Sequence, residues 1–259
     1  GGYYAPWLVL AGGKSVAAAE AALAAEIARM RDAPVTAAEL AEAKNELLAQ
    51  ALRQRETFQG RAFVTLLPFN IPESRPLIVP SRLASLLPAS SFVELNFRTY
   101  VRGPGGEPAI WFFSLDASSA VAVAGARAVY RLPYFRATMS HTIRGDRTVE
   151  FSSVRKGDGA GVRCTTVYRP SGTISPATPE GLDHFLVERY VLFAGSTQRL
   201  LRASVQHEPY PLQPAKVNEL TQNLLELEGL GTAARLPASH YSAGVDVRIS
   251  RPERVRSRP

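Results

Sequence analysis

The sequence has too few cysteines and lysines for several common kinds of site. Its 259 residues include one cysteine, Cys164, so neither a disulfide framework nor a cysteine-ligated zinc cluster is expected. Lysine occurs only at positions 14, 44, 156 and 216. The sequence has no run of about 18 apolar residues, so no transmembrane helix and no membrane partner are expected. These absences exclude classes of site but indicate no reaction.

The charge and the apolar content point to a globular protein with a basic end. The hydrophobic fraction of 46% with 20% charged residues is typical of a folded, soluble chain. Residues 248–258 carry five arginines against Glu253, which is +4 of the formal net charge of +7. A nucleic-acid site needs basic residues on a folded face. We therefore interpret 251–259 as a frayed tail and expect no nucleic-acid partner. No signal pattern is present at the start, and a cytoplasmic location is predicted.

The first 58 residues are alanine-rich and show helical spacing. Larger apolar residues recur through a predicted helix from Ser15 to Arg31. Thr36 and Glu39 form a capping box that begins a second helix, predicted to end near Arg55. Residues 1–58 are therefore predicted to form a helical hairpin.

From residue 59 onward, alternating apolar residues and frequent glycine and proline indicate strands. The predicted strands are 61–69, 91–102, 109–115, 134–143, 147–154, 161–168, 197–206 and 242–249, with helices near 118–130, 179–187 and 215–228. Short turns such as Arg144-Gly145-Asp146 imply antiparallel pairing. The fold class is therefore α+β: a mainly antiparallel sheet or barrel over 59–250 with a few helices.

Two segments resemble known families. Residues 12–60, and above all the run VTAAELAEAKNELL, resemble the non-catalytic C-terminal half of an insulinase/pitrilysin-type peptidase. The zinc-binding His-x-x-Glu-His run of that family is absent from this sequence, so the resemblance implies a fragment without peptidase activity, and a fused or chimeric chain. Residues 60–255 resemble the YqjF-like family of unknown function (DUF2071) within the acetoacetate decarboxylase-like superfamily. That resemblance is carried by VELNFRTYV, WFFSLDASSAVAVAGARAVYRLPYFRA, HFLVERYVLFA and HEPYPLQPA.

The decarboxylase branch of that superfamily uses a lysine that forms a Schiff base with a β-keto acid. The resemblance places Tyr134, in the run Leu-Pro-Tyr-Phe, where that lysine would stand. Lys14 and Lys44 lie in the hairpin, Lys156 in a glycine turn and Lys216 at the start of a predicted helix. None suits a nucleophilic amine, which needs burial or a neighbouring cation. Schiff-base chemistry is therefore not expected.

The strand around residues 92–101 has a polar side and an apolar side. The polar side carries Glu94, Asn96, Arg98 and Tyr100. One interpretation is a solvated outer face with a weak Glu94–Arg98 pair. The other is the lining of an interior cavity, in which these groups orient a small ligand. In that case we expect Glu94 to be paired with Arg98 or Arg136.

The predicted strand 134–143 carries two further candidates. Tyr134 and Arg136 point to one side of the predicted strand 134–143. They are either pocket groups or part of a surface ladder. The four histidines, at 141, 184, 207 and 240, are too scattered for a shared metal site, so neither a metal nor a cofactor is expected. The run around His207 is interpreted as a rigid turn.

Three functions remain open. The first is binding of a small organic acid by Glu94, Asn96, Arg98, Tyr100, Tyr134 and Arg136, without lysine chemistry. The second is an enzyme of the same fold with lyase, hydratase or isomerase activity, in which Glu94 acts as general base with Arg98 or Tyr134. The third is an assembly or nucleic-acid-contacting protein, which would rest on the tail and hairpin alone. Oligomerisation is left open.

Overall fold

The computed structural model describes residues 54–74, 90–157, 161–196, 199–231, 236 and 238–255, and scattered positions between 15 and 29. Its chain divides into two compact units, 1–44 and 45–259. In the first unit, positions 17–18, 21, 24–25 and 28–29 are helical, in agreement with the first predicted helix. The predicted second helix lies outside the described residues except for its end. There, Gln54–Arg55 form a strand that pairs with Val101 and Arg102, so the helix prediction is wrong at these two positions.

Within the described residues of the second unit, thirteen strands form one sheet. Their bounds are β1 Gln54–Arg55, β2 Val64–Ser74, β3 Ser90–Arg102, β4 Pro108–Ala117, β5 Tyr134–Ile143, β6 Val149–Arg155, β7 Arg163–Pro170, β8 Val191–Ser196, β9 Arg199–Gln206, β10 Leu212–Gln222, β11 His240–Ser242, β12 Arg248–Ile249 and β13 Glu253–Arg254. The order is β11-β10-β7-β6-β5-β4-β8-β9-β12, with β3 beside β4 and β2 beside β3. Only β4–β5 and β4–β8 are parallel pairs among these strands. The mainly antiparallel α+β prediction is confirmed.

The helices in this part of the chain are short and lie between strands. They are α1 Ala120–Tyr130, α2 Leu182–Val187 and α3 Leu224–Leu227. The Ser119 hydroxyl accepts a hydrogen bond from the Ala122 backbone N–H and so caps α1. No described helix is both long and apolar enough to cross a lipid bilayer.

The largest error of the sequence analysis is at residues 215–228. The predicted helix is instead strand β10, which pairs with β7 and β11, followed by the single turn α3. Pairing of residues 215–222 with β7 outweighs the local helical preference of this segment. Strand β8, which pairs with β4 and β9, was not predicted.

Residues 253–255 contact the sheet, in contrast to the prediction from the sequence. Glu253 and Arg254 pair with Arg202 and Leu201 of β9. The side chain of Val255 packs on a core cluster that includes Val101 and Trp111. The interpretation of residues 251–259 as a frayed tail is therefore wrong for 253–255.

Strand β3 lies inside the sheet and is covered on both sides. Its alternate residues project to opposite faces. We call the face that carries Glu94, Asn96, Arg98 and Tyr100 the even face, and the face that carries Leu95, Phe97 and Val101 the odd face. Tyr100 on the even face packs with α2 residues Phe185 and Leu186, whereas Leu95 and Phe97 pack with β6, β7 and α3. Polar residues on the even face therefore lie in the protein interior.

Candidate functional site

The even face of β3 is buried over most of its length. Glu94, Asn96 and Tyr100 are 4%, 7% and 0% exposed, whereas Arg98 is half-buried. The register with β4 places Ala117, Leu115, Phe112 and Ile110 beside these four residues on the same face. These values contradict the interpretation of a solvated outer face. They place a row of polar groups between two layers of apolar side chains, open towards solvent at Arg98.

Glu94 forms the inner end of this row. The Tyr134 hydroxyl donates a 3.0 Å hydrogen bond to Glu94 Oε1, because the parallel pairing of Tyr134 with Leu115 brings the phenol to the even face. Burial raises the Glu94 pKa to about 7, although hydrogen bonds from the side chains of Tyr134 and Asn96 lower it. Burial and the nearby carboxylate also hold the Tyr134 pKa well above its usual range. Glu94 can therefore exchange a proton near neutral pH.

Two buried polar atoms in the middle of the row have no hydrogen-bond partner in the described structure. They are the Asn96 side-chain oxygen Oδ1, an acceptor, and the Arg98 nitrogen Nε, a donor. Folded proteins pair nearly all such atoms, so an unpaired pair on adjacent same-face residues needs an explanation. A bound molecule with one donor and one acceptor would satisfy both.

Helix α2 covers the outer part of the row through one backbone carbonyl. The Leu186 oxygen accepts hydrogen bonds from Arg98 Nη2 at 3.1 Å and from the Tyr100 hydroxyl at 2.9 Å. Tyr100 also shares a 2.5 Å hydrogen bond with the Thr65 hydroxyl of β2. The Tyr100 hydroxyl hydrogen is thus donated to Leu186 and its oxygen contacts Thr65, so this side chain ties α2 and β2 to β3.

An ion pair anchors the end of α2. Arg189 Nη1 contacts Glu56 Oε2 at 2.7 Å, and both residues are buried. Arg189 also donates to the Phe185 carbonyl and lies over the Tyr100 ring. Sequence reasoning missed this pair, because Glu56 stands within the predicted hairpin.

Tyr210 is a further residue near the site that sequence reasoning did not select. The Arg98 guanidinium is close enough to lower the pKa of Tyr210, although burial, the larger effect, raises it. The His207 ring lies between Tyr210 and Tyr190, 4.7 Å from each ring centroid. Glu188 accepts from the Tyr190 hydroxyl and from the Tyr210 backbone N–H. The run around His207 therefore contributes two rings to an aromatic cluster with Tyr190, and Tyr210 of this cluster is close to Arg98.

The expected ion pairing of Glu94 is wrong. Within the described part of the chain, Glu94 forms no salt bridge with Arg98 or Arg136. Arg98 instead donates to the Leu186 carbonyl of α2, and the side chain of Arg136 is exposed to solvent. The structure thus brings together Glu94, Asn96, Arg98, Tyr100 and Tyr134 but not Arg136.

A second buried polar cluster lies on the odd face. The Asp116 carboxylate accepts from Arg155 Nε at 2.5 Å and from the Ser153 hydroxyl at 2.8 Å. Arg155 also donates to the Ser114 hydroxyl and stacks 4.2 Å above the Phe135 ring. Burial raises the Asp116 pKa, while Arg155 opposes this effect. This network has no local signal in the sequence, because its residues come from three strands.

The remaining candidates do not form a site. Lys156 and Lys216, the two lysines in the described ranges, are both exposed, and Lys216 lies in a strand and not at a helix start. No group of three His, Cys, Asp or Glu side chains converges as metal ligands in the ranges that the structure describes.

Comparisons with known proteins give a family. The model of the DUF2071 family, described as "Uncharacterized conserved protein", matches residues 34–246. The uncharacterized protein YqjF of Bacillus subtilis (strain 168) is 34% identical over 201 residues, covering 77% of this chain and 80% of the relative. The match starts at residue 34 and thus includes the run that resembles a peptidase. Nothing in the comparisons supports a peptidase fragment or a fusion.

Two solved structures of acetoacetate decarboxylase are also similar to this chain. The enzyme from Legionella pneumophila subsp. pneumophila str. Philadelphia 1 is 16% identical with a TM-score of 0.44, over 75% of this chain and 86% of that chain. A second acetoacetate decarboxylase structure is 12% identical with a TM-score of 0.45, over 76% and 91%. At such TM-scores these likenesses assign neither a reaction nor a ligand.

Proposed function

We propose that this chain, which belongs to the DUF2071 family, binds a small organic acid on the even face of β3. The observation that carries the proposal is the pair of buried atoms, Asn96 Oδ1 and Arg98 Nε, that lack partners within the described residues. Buried polar groups without partners cost folding free energy, on the order of 1–3 kcal/mol each. A ligand that pairs both would recover that cost on binding.

Arg98 is the group that selects an acid. Its guanidinium is permanently charged, and its Nε–H is free to donate to a carboxylate oxygen while Nη2 is held by the Leu186 carbonyl. Hydrogen bonds between charged groups are stronger than neutral ones. The Arg98 residue is half-buried, although its Nε atom is buried, so we expect a ligand to approach along the exposed part of this side chain. Glu94 lies two residues beyond Asn96, further inside the protein.

The binding test compares two arginines of one sheet. Isothermal titration of the parent protein with pyruvate, acetoacetate, lactate and 3-hydroxybutyrate should show saturable binding of at least one acid. Arg98→Met should weaken that binding by tenfold or more, which corresponds to about 1.4 kcal/mol. Arg136→Met, at an exposed position, is the matched control and should leave the affinity unchanged. Absence of binding to all four acids, or equal loss in both variants, would contradict the proposal.

A second candidate is acid–base catalysis at Glu94, and one observation favours it. A carboxyl group with a pKa of about 7 can both accept and return a proton near neutral pH, which suits lyase, hydratase or isomerase chemistry. The Tyr134 hydroxyl, 3.0 Å from Oε1, would orient the carboxylate. In this scheme Arg98 holds the substrate carboxylate.

Proton exchange separates the enzyme from the binding protein. In deuterium oxide, the enzyme hypothesis expects the hydrogens beside the carbonyl of pyruvate or acetoacetate to exchange faster with the protein than without it. Glu94→Gln should abolish the acceleration while retaining acid binding. A rate equal to that of the buffer, measured by proton NMR with bound acid, would leave binding as the function.

A further inference from the structure

We infer that the acid bound on the even face carries a hydroxyl group near its carboxylate, so that hydroxy acids bind in preference to the matching keto acids. This inference rests on the proposed binding function and gives its ligand class. It depends on the orientation of the Asn96 side-chain amide and on the kind of hydrogen-bond partner that its oxygen Oδ1 requires.

The two ends of the Asn96 amide have different surroundings. The Asn96 side chain hydrogen-bonds to the Glu94 carboxyl group and lowers its pKa. Since Oδ1 has no partner in the described residues and Nδ2 is the only donor of this side chain, we assign the bond to the Glu94 carboxylate to Nδ2. The oxygen Oδ1 is the end without a partner, in a residue that is only 7% exposed.

A free carbonyl oxygen discriminates between ligands. Oδ1 has lone pairs and no hydrogen, so it requires a donor. A hydroxyl group supplies one, whereas a ketone oxygen is itself only an acceptor. A keto acid would thus place two acceptors opposite each other and leave Oδ1 unsatisfied in the complex. Buried sites reject such ligands because the unpaired group has already lost its water.

Arg98 indicates the second group that the ligand must carry. Its Nε needs an acceptor, which a carboxylate provides. Residues two apart on one strand face are separated by about 6.6 Å at their Cα atoms, so both side chains can reach one small molecule. The ligand therefore carries its hydroxyl on a carbon close to the carboxylate. An ammonium group would also donate, but it would bring a second cation beside the Arg98 guanidinium.

Matched pairs of acids test this inference. Titration calorimetry of the parent protein with lactate against pyruvate, and with 3-hydroxybutyrate against acetoacetate, measures the preference at a fixed carbon skeleton. We expect the hydroxy member of at least one pair to bind roughly tenfold or more tightly than its keto partner. Alanine, which replaces the hydroxyl of lactate by an ammonium, should bind more weakly than lactate.

The outcomes separate the inference from the proposed function. Equal affinity within both pairs, a keto preference, or tighter binding of alanine than of lactate would overturn the inference and leave acid binding intact. Binding of none of the acids would overturn both. Asn96→Leu should bring the hydroxy-to-keto ratio close to one, and Arg136→Met should leave it unchanged. A preference that persists in folded Asn96→Leu would show that another group sets it, and would also overturn the inference. Should that variant fail to fold, the parent ratio still decides.

Discussion

Two buried carboxylates, Glu94 and Asp116, lie on neighbouring strands but on opposite faces of the sheet. Burial raises the pKa of both. Asp116 is paired with Arg155 and Ser153, and Arg155 is itself paired with Ser114. Glu94 has only neutral hydrogen-bond donors, and the row that it begins contains two atoms without a partner in the described chain.

The difference shows that burial and a raised pKa do not by themselves mark a functional carboxylate. The Asp116 cluster satisfies its hydrogen bonds within the fold, so it has a structural role. Burial raises the Glu94 pKa to about 7, and its row contains two polar atoms without a partner in the described residues, which is what the proposed binding site requires. The predictions below test this distinction on each face.

The largest expected effect is on the odd face. Arg155→Met removes the only cation beside Asp116 in the described network and leaves a buried carboxylate unpaired, so the free energy of unfolding should fall by about 3–5 kcal/mol at neutral pH. The loss should shrink in acid, because protonation removes the charge. Urea denaturation measures it, and Asp116→Asn combined with Arg155→Met should recover part of it. A loss below about 1 kcal/mol would show that the pair is not needed for folding.

A smaller effect is expected from Glu94, and it depends on pH. The folded pKa of about 7 is above the ordinary 4.5, so the native state holds its proton more tightly than the unfolded state. Stability is therefore lost as the pH rises from 4.5 through 7, by about 3 kcal/mol in total. Glu94→Gln removes this loss.

Denaturation curves at about pH 4 and pH 8 provide the measurement. The difference in unfolding free energy between Glu94→Gln and the parent should be larger at the higher pH by about 3 kcal/mol. The same pH dependence in both proteins would contradict this prediction. It would mean that Glu94 has its ordinary pKa in the folded protein, as a solvated carboxylate does.

The smallest effects are expected for the two arginines that the sequence placed together. Arg98→Met removes one hydrogen bond to the Leu186 carbonyl, which Tyr100 still satisfies, so the expected loss is about 1 kcal/mol. Arg136→Met, at an exposed position, should change stability by at most about 0.5 kcal/mol. Thermal unfolding compares them. A loss of 3 kcal/mol or more for Arg98→Met would indicate the direct Glu94–Arg98 pairing that the structure lacks.

Much of the sheet could be predicted from periodicity, and the exceptions have physical causes. Alternation identified β3 and its even face, because strand geometry fixes which residues share a face. It could not decide whether that face is buried, since β3 is covered on both sides by elements distant in sequence. The local pattern of residues 215–222 is compatible with a helix or a strand. These residues form a strand because they pair with β7.

The candidate site could be predicted only in part for the same reason. Tyr134 was selected by resemblance, and its contact with Glu94 depends on the parallel β4–β5 pairing. Tyr210 and the α2 carbonyl of Leu186 carry no signal in the sequence, because their nearness to Arg98 follows from tertiary packing. Arg136 lies on the same side of the strand as Tyr134, but its side chain is exposed to solvent.

The most direct test of the central claim is a carbon-13 NMR titration of the glutamate side-chain carboxyl groups, with Glu94→Gln used to assign the Glu94 signal. The account predicts one carboxyl group that titrates near pH 7, is missing from the variant, and shifts its midpoint when a bound acid is present. A Glu94 signal with a midpoint near 4.5, unchanged by any acid, would contradict the account, because it would show a solvated carboxylate in place of a buried site.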